Sequence, residues 1–414
     1  MPTNRPQGTD PSPAASPDPW KETQRWGTPD SAQQDPPRAR GLRCRAEISC
    51  AALRANARAA GRLAGGGPEL VMAIVKADAY GHGLAGVAAA LAGTVGAFAV
   101  ACPEEAETAA SAAATTPHPC PPIYLLSPSL PEEISEVTAR GWIPAVSSLA
   151  EINAFSKAAD RLQRIQPVNL VIDTGMGRIG SLPEHAAPLL EAIHHNPCLR
   201  LDSVSSHFPS ADEDREFTLQ QAAAFRQSVQ HWRRSFGNFR IHLANSAGLT
   251  DYPHPPGEMA RTGLFLYGIS PIPAYQHLVQ PVLQWSARIS LVRDLPAGHG
   301  ISYGRAFVTP HPMRIATITA GYGDGYPRHA SGKGACVLIH GQRCPILGRI
   351  TMDQIMADVS HLDSPPTAGD AAVLLGTDGH TTITATELAA QADTIPWHLL
   401  TGITPRTTRI FLEA

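Results

Sequence analysis

From about residue 49 the chain alternates short apolar runs rich in β-branched residues with longer Ala/Leu-rich segments of helical spacing. The short runs predict strands at 71–75, 97–101, 123–126, 143–146, 168–172, 201–205 and 239–244. Helical patterns fall between them, at 84–91, 149–159, 184–194 and 214–233. Regular β-α alternation predicts a parallel sheet or a (β/α)8 barrel, and a barrel would carry its chemistry at the C-terminal ends of its strands. Lys76, Arg178, His207 and Asn245 each follow a predicted strand closely.

Past about residue 282 the pattern changes. Short strands are predicted at 287–295, 313–319, 335–339, 343–346, 355–359 and 372–375, separated by Gly/Pro/Asp turns, with one helical segment at 385–391. This reads as a mostly-β domain. The expected organisation is a tail over 1–42, a barrel over 43–282 and a β domain over 283–414. The tail is rich in Pro, Ser, Asp, Gln and Thr, and reads as disordered.

Composition narrows the class. At 414 residues and 43% hydrophobic the chain can bury a sizeable core. A net charge of -3 gives no support for a nucleic-acid partner. No apolar run reaches the roughly 18–20 residues of a membrane span. The seven cysteines are scattered and lack C-x-x-C pairs, which fits reduced thiols in the cytoplasm and no metal site. The tail lacks the apolar segment of a secretory signal, and its five acidic residues argue against a transit peptide.

The most informative run is Val71-Met-Ala-Ile-Val-Lys76-Ala-Asp-Ala-Tyr80-Gly81-His82-Gly83. A lysine ending a buried strand loses hydration, which disfavours its charged form. A neutral amine is what Schiff-base chemistry with an aldehyde requires. A second run, Asp173-Thr-Gly175-Met-Gly177-Arg178-Ile-Gly180, formally satisfies the G-x-G-x-x-G spacing. In a dinucleotide site those glycines leave the strand and open a helix directly. Here two residues intervene, and Ser181-Leu-Pro-Glu184 reads as a later helix start with Ser181 as N-cap. The glycines therefore shape a loop presenting Arg178. Three further sets carry polar chemistry. They are His242-Leu-Ala-Asn245-Ser246 followed by Arg261-Thr-Gly263-Leu264, Ser302-Tyr303-Gly304, and the loops 321–328 and 348–354.

In this order these runs resemble the alanine racemase family, from about Arg43 to the C-terminus. The resemblance implies a pyridoxal 5'-phosphate enzyme with a barrel plus a β domain, whose first strand pairs with the latter. It implies that Lys76 carries the cofactor and serves as one catalytic base, with Tyr303 of the other subunit as the second. Ser246, Tyr80 and the amides of Gly263 and Leu264 would cradle the cofactor phosphate, with Asn245 and His207 beside the cofactor. Arg261, held by His242, would face the pyridine nitrogen. Arg178 would hold the cofactor's phenolic oxygen and the substrate carboxylate, the latter also met by the Met352 backbone. Tyr322, Arg328, Arg349 and Asp353 would line an access channel from the partner, in a homodimer with shared sites. His207 and Arg178 are candidates to stabilise a Tyr303 phenolate.

Two positions depart from the family pattern. Val171 stands where many members have a carbamylated lysine that orients the arginine. Pro405 stands where a phosphate-binding, gate-forming tyrosine is frequent, which implies a wider gate. The expected activity is interconversion of L- and D-alanine, supplying D-alanine for peptidoglycan. A serine or broad-specificity racemase, a related decarboxylase and a non-catalytic carrier of the cofactor remain as alternatives.

Overall fold

The computed structural model describes residues 42–413. The segment 1–41, which carries nearly all of the expected tail, lies outside the described residues. Eight parallel strands form a nearly closed barrel: β2 (Val71–Ile74), β3 (Ala97–Val100), β4 (Ile123–Pro128), β5 (Ile143–Val146), β6 (Gln166–Val171), β7 (Leu199–Ser205), β8 (Arg240–His242) and β9 (Ala260–Thr262). They follow β1 (Cys44–Ser49), which lies outside the barrel. The order around the barrel is β8-β7-β6-β5-β4-β3-β2-β9, with β2 paired to β9 across the chain's longest gap in the ring. Strands β2, β3 and β5 are buried at every position, because the barrel interior covers one face and the helices cover the other. Helix Cys50–Leu63 precedes β2 and packs on β2 and β9, filling the place of the helix that does not follow β9. Ser49 starts it, its hydroxyl accepting from the Ala52 N–H, a cap worth about 1 kcal/mol.

The remaining strands are β10 (Leu283–Leu295), β11 (Gly300–Ile301), β12 (Phe307–Val308), β13 (Met313–Ile318), β14 (Cys336–Ile339), β15 (Gln342–Pro345), β16 (Ile355–Asp358), β17 (Ala371–Asp378), β18 (Thr381–Ile383) and β19 (Thr408–Leu412). Nine of them, counting β1, make one sheet whose main path is β15-β14-β17-β10-β1-β19. Strand β1 pairs antiparallel with β10 and parallel with β19, so Ala46 sits between Trp285 and Arg409. The fully buried Trp285 donates its Nε1–H to Cys44 Sγ at 3.1 Å, fastening β1 to that sheet. This places β19, and the loop before it, against the Lys76 end of the barrel.

Two local expectations differ from the structure. The eighth barrel strand, β9, is only three residues long and centred on Arg261, so it carries no apolar run to announce it. Ser181 does not cap a helix. It makes a parallel bridge with Ile172, and the helix begins at Ala186 after a 3-10 turn at Pro183–His185.

Candidate active site

A cavity of about 450 Å³ opens at the C-terminal ends of the barrel strands. Lys76, Tyr80, Arg178, His207, His242, Asn245, Ser246, Arg261, Gly263 and Leu264 all line it. Tyr303, Tyr322, Arg328, Arg349, Met352 and Asp353 do not.

Lys76 leaves β2 into an uncommon backbone. Ala77, Asp78, Ala79 and Tyr80 all have φ of 52–53°, one turn of left-handed helix built without glycine. Each such residue costs about 1–2 kcal/mol for an L-amino acid, so the turn needs external fastening. Glu105 accepts the Ala77 N–H at 2.6 Å and, with its other oxygen, the Ala101 N–H at 2.8 Å. Asp78 Oδ1 accepts from the Leu84 N–H at 2.7 Å. His82 Nδ1 lies 3.0 and 2.9 Å from the Ala79 and Tyr80 carbonyls, so it carries the proton. Tyr267 stacks on His82 and donates to the Ile74 carbonyl at 2.8 Å. Glycine is required at the end of the turn, since a Cβ on Gly81 would lie 2.0 Å from the Leu400 carbonyl oxygen.

Burial pushes the Lys76 amine below its ordinary pKa; the Arg178 and Arg261 charges add to this and Glu105 opposes it. The arginine itself stands on the loop after β6. Asp173 shapes that loop by accepting the N–H groups of Gly175, Met176 and Gly177 at 2.9–3.2 Å, an Asx-type turn. Arg178 makes no ion pair or hydrogen bond among the described residues. Val171 lines the cavity beneath it and contributes no charge.

Arg261 is buried and held on several sides. Its Nη1 donates to His242 Nδ1 at 2.8 Å, and its Nη2 to His207 Nδ1 at 2.8 Å and to the Leu243 carbonyl at 3.1 Å. The carbonyls of Ser206 and His242 also accept from it. Burial, then the Arg178 charge, brings its pKa to about 9, so it stays protonated at neutral pH. Burial, then Arg261, brings His207 down to about 3 and His242 well below its usual value. Both imidazoles are therefore neutral acceptors. A neutral His207 brings no cation to a phenolate, but its Nδ1 accepts from Arg261, so its proton sits on Nε2 as a hydrogen-bond donor.

The cavity's other end suits a phosphate. A Cβ at Gly263 would lie 2.7 Å from Tyr80 Oη, so glycine leaves the space between them open. Ser246 Oγ sits within 3.3 and 3.4 Å of the Gly263 and Phe265 amides. Asn245 places Ser246: its Oδ1 accepts from the Gly248 N–H at 2.9 Å and starts the short helix Ser246–Asp251. The Tyr80 and Ser246 hydroxyls and the Gly263 backbone thus share one cavity with Lys76. This donor set fits a phosphorylated aldehyde such as pyridoxal phosphate.

Residues absent from the sequence-based candidates also shape the site. Trp397 lines the cavity from the C-terminal region, whereas Pro405 is exposed and off it. Glu105 fastens the lysine turn, and Asn169 lines the wall two positions before Val171. Tyr303 is 68% exposed, on a turn where Ser302 and Gly304 have φ of 64° and 70°. Met352 is 52% exposed. Asp353 accepts from Arg406 Nη1 at 2.6 Å. Arg328 and Arg349 line a separate cavity of about 590 Å³ behind the Tyr303 turn.

Comparisons with known proteins agree along the chain. The family description "Alanine racemase, N-terminal domain" matches residues 48–271, and "Alanine racemase, C-terminal domain" matches 282–411. Alanine racemase of Methylacidiphilum infernorum is 38% identical over 334 residues, 80% of this chain and 84% of that protein. That of Symbiobacterium thermophilum is 38% identical over 88% of this chain and 96% of its own length. The crystal structure of alanine racemase from D-cycloserine producing Streptomyces lavendulae superposes with a TM-score of 0.80 at 33% identity, covering 90% of this chain and 98% of that one. Alanine racemase from Bartonella henselae, solved with covalently bound pyridoxal phosphate, gives 0.78 at 28% identity over 89% and 99% of the two chains.

Proposed function

The chain belongs to the alanine racemase family and is a pyridoxal-phosphate-dependent isomerase of L- and D-alanine, and from that premise we propose how its own residues carry the reaction. The observation that carries the proposal is the lysine turn: it brings a buried amine, lowered in pKa, into one cavity with Arg178, Arg261 and the Tyr80, Ser246 and Gly263 set.

Bound pyridoxal phosphate supplies an electron-withdrawing ring that makes the Cα–H of an attached amino acid acidic. Ser246, Tyr80 and the Gly263 and Leu264 amides hold its phosphate. Arg261 faces the ring nitrogen and keeps it unprotonated, because a guanidinium does not readily give up its proton. That limits the ring's pull and with it side reactions such as transamination. Arg178 binds the substrate carboxylate with a planar pair of donors. The Lys76 amine takes or returns the proton on one face of Cα.

Inversion needs a second group on the opposite face, and Tyr303 is the residue we assign to it. Its exposure and its absence from its own chain's cavity lining support delivery by a partner subunit, and the same holds for Met352. The enzyme is thus a homodimer with shared sites, whose Tyr322, Arg328, Arg349 and Asp353 border the substrate's path. We divide the chain into a barrel at 43–282 and a β domain at 283–414, with β1 crossing that division to pair in the sheet of the latter. No described helix is long and apolar enough to cross a membrane. The seven unpaired cysteines support a cytoplasmic setting, where D-alanine would feed peptidoglycan.

The test is α-deuterium exchange from L- and D-alanine in D2O. Exchange from both is expected, and exchange from neither would end this reading. Comparing kcat/KM for alanine and serine decides substrate breadth; a serine preference would replace the alanine assignment.

A further inference from the structure

Behind Arg261, three neighbouring barrel strands carry buried polar side chains where apolar ones are usual. They are Asn169 on β6, Ser203 and Ser205 on β7, and His242 on β8, each less than a tenth exposed. They form one file. His242 Nε2 is 3.2 Å from Ser203 Oγ, Ser203 Oγ is 2.9 Å from Asn169 Oδ1, and Asn169 Nδ2 is 3.0 Å from Ser205 Oγ.

The direction of every hydrogen bond in this file is set by Arg261. A guanidinium has donors only, so His242 Nδ1 must accept from it and the imidazole proton must sit on Nε2. That Nε2–H donates to Ser203 Oγ. The serine's own proton then goes to Asn169 Oδ1, and the amide group donates onward to Ser205. Turning the Asn169 amide round would set two donors against Ser203 Oγ and strand the hydroxyl proton. The opposite His242 tautomer would point an N–H at a guanidinium N–H. One arrangement therefore satisfies the whole file.

We propose that Ser203 and Asn169 are positioning residues: they take up the Nε2–H that Arg261 imposes on His242 and fix that ring in place, so that its Nδ1 lone pair aims Arg261 at the cofactor ring. This deepens the function proposed above and rests on it. Ser203 touches neither the cavity nor Arg261, and acts only through His242. Asn169 reaches the same imidazole through Ser203, although its side chain also meets the cavity wall.

The experiment uses the full chain, cofactor-loaded and cofactor-free, with histidine labelled for 15N NMR. Parent protein is expected to show His242 as Nε2–H in both forms. Ser203→Ala and Asn169→Leu are each expected to leave the His242 Nε2–H without its ordered acceptor, moving the His242 15N shifts while the tautomer persists, and to shift the bound cofactor's absorption and lower kcat about tenfold, as when a partner behind a ligand is removed. KM for alanine should hold within about twofold in Ser203→Ala, since Ser203 is off the cavity. The double variant should be no worse than either single, because both cut the same file. Ser203→Thr keeps the hydroxyl and should restore the 15N shifts, spectrum and rate. Unchanged His242 15N shifts and spectrum in Ser203→Ala, or additive losses in the double variant, would overturn the proposal. If Asn169→Leu fails to fold, the Ser203→Ala and Ser203→Thr pair decides alone. An Arg261→Lys variant separates the two levels. If it leaves the cofactor spectrum unchanged, the assignment of Arg261 to the ring fails. If it shifts the spectrum while Ser203→Ala does not, only the positioning role fails.

Discussion

Arg409 donates through both Nε and Nη2 to the carbonyl oxygen of Gly81, at 3.0 and 2.9 Å. The same guanidinium bonds the carbonyls of Ile403, Thr404 and Thr407, so β19 and its preceding loop hold the end of the left-handed lysine turn. Hydrogen bonds from a charged donor are worth about 1.5–3 kcal/mol net, and removing this hub strands four carbonyls. Arg409→Met should therefore lower unfolding free energy by about 3 kcal/mol, read by urea denaturation. It should also weaken pyridoxal phosphate binding, because the turn that presents Lys76 and Tyr80 loses its fastening. Arg409→Lys should recover only part of either loss, since an ammonium lacks the planar spread to reach both segments.

Gly263→Ala tests the cradle. The new methyl would sit 2.7 Å from Tyr80 Oη and 2.9 Å from Cζ. The tyrosine tip can swing away, so folding should change by less than about 1 kcal/mol. The space between the two hydroxyl-bearing walls should close, however. Equilibrium dialysis should find pyridoxal phosphate binding at least about tenfold weaker, while pyridoxal without phosphate is affected far less. Equal losses for both ligands would remove the phosphate from this end of the cavity.

Tyr303→Phe separates the two proton carriers. Tyr303 is largely exposed in one chain, so loss of its hydroxyl should leave stability within about 0.5 kcal/mol. Racemisation should fall by about 10²–10⁴-fold, the usual worth of a positioned acid or base. Cofactor absorbance should persist, and α-deuterium exchange should survive for one enantiomer and stop for the other. Exchange surviving for both would show that another group serves the second face.

The barrel and the β domain were legible because buried parallel strands write themselves as continuous apolar runs, as at 71–75 and 97–101. Strand β9 was not, because its three residues centre on a charged side chain that is affordable only once His242, His207 and backbone carbonyls surround it. The lysine turn was hidden for a related reason. Ala-Asp-Ala-Tyr has no local preference for positive φ, and the contacts that impose it come from Glu105 and Arg409, 28 and 328 residues away from their partners. Ser181 misled because its S-x-x-E spacing is a local signal, whereas its actual bridge to Ile172 is set by the loop that presents Arg178. Likewise, the file behind His242 is three polar residues, Ser203, Asn169 and Ser205, with no motif in sequence, and acquires direction only through the arginine on the other side of that histidine.

The charge state of Lys76 gives a pH dependence whose sign can be worked out. Burial and the neighbouring arginines lower its pKa below the roughly 10.4 of a free lysine. Between the folded and unfolded values, the unfolded chain binds the extra proton, so stability rises with pH in that window. Below the folded value the buried charge exacts its full penalty, and above the unfolded value none remains. In cofactor-free protein, acylation of Lys76 by a small neutral reagent, followed by mass spectrometry, should rise with pH around a midpoint below the roughly 10.4 of a free lysine. Arg178→Met removes a repelling charge and should move the midpoint up; Glu105→Gln removes an attracting one and should move it down. A Lys76 midpoint at the free-lysine value would mean that the cavity admits enough water to cancel the burial, and the lysine's readiness for chemistry would then have to come from the bound cofactor alone.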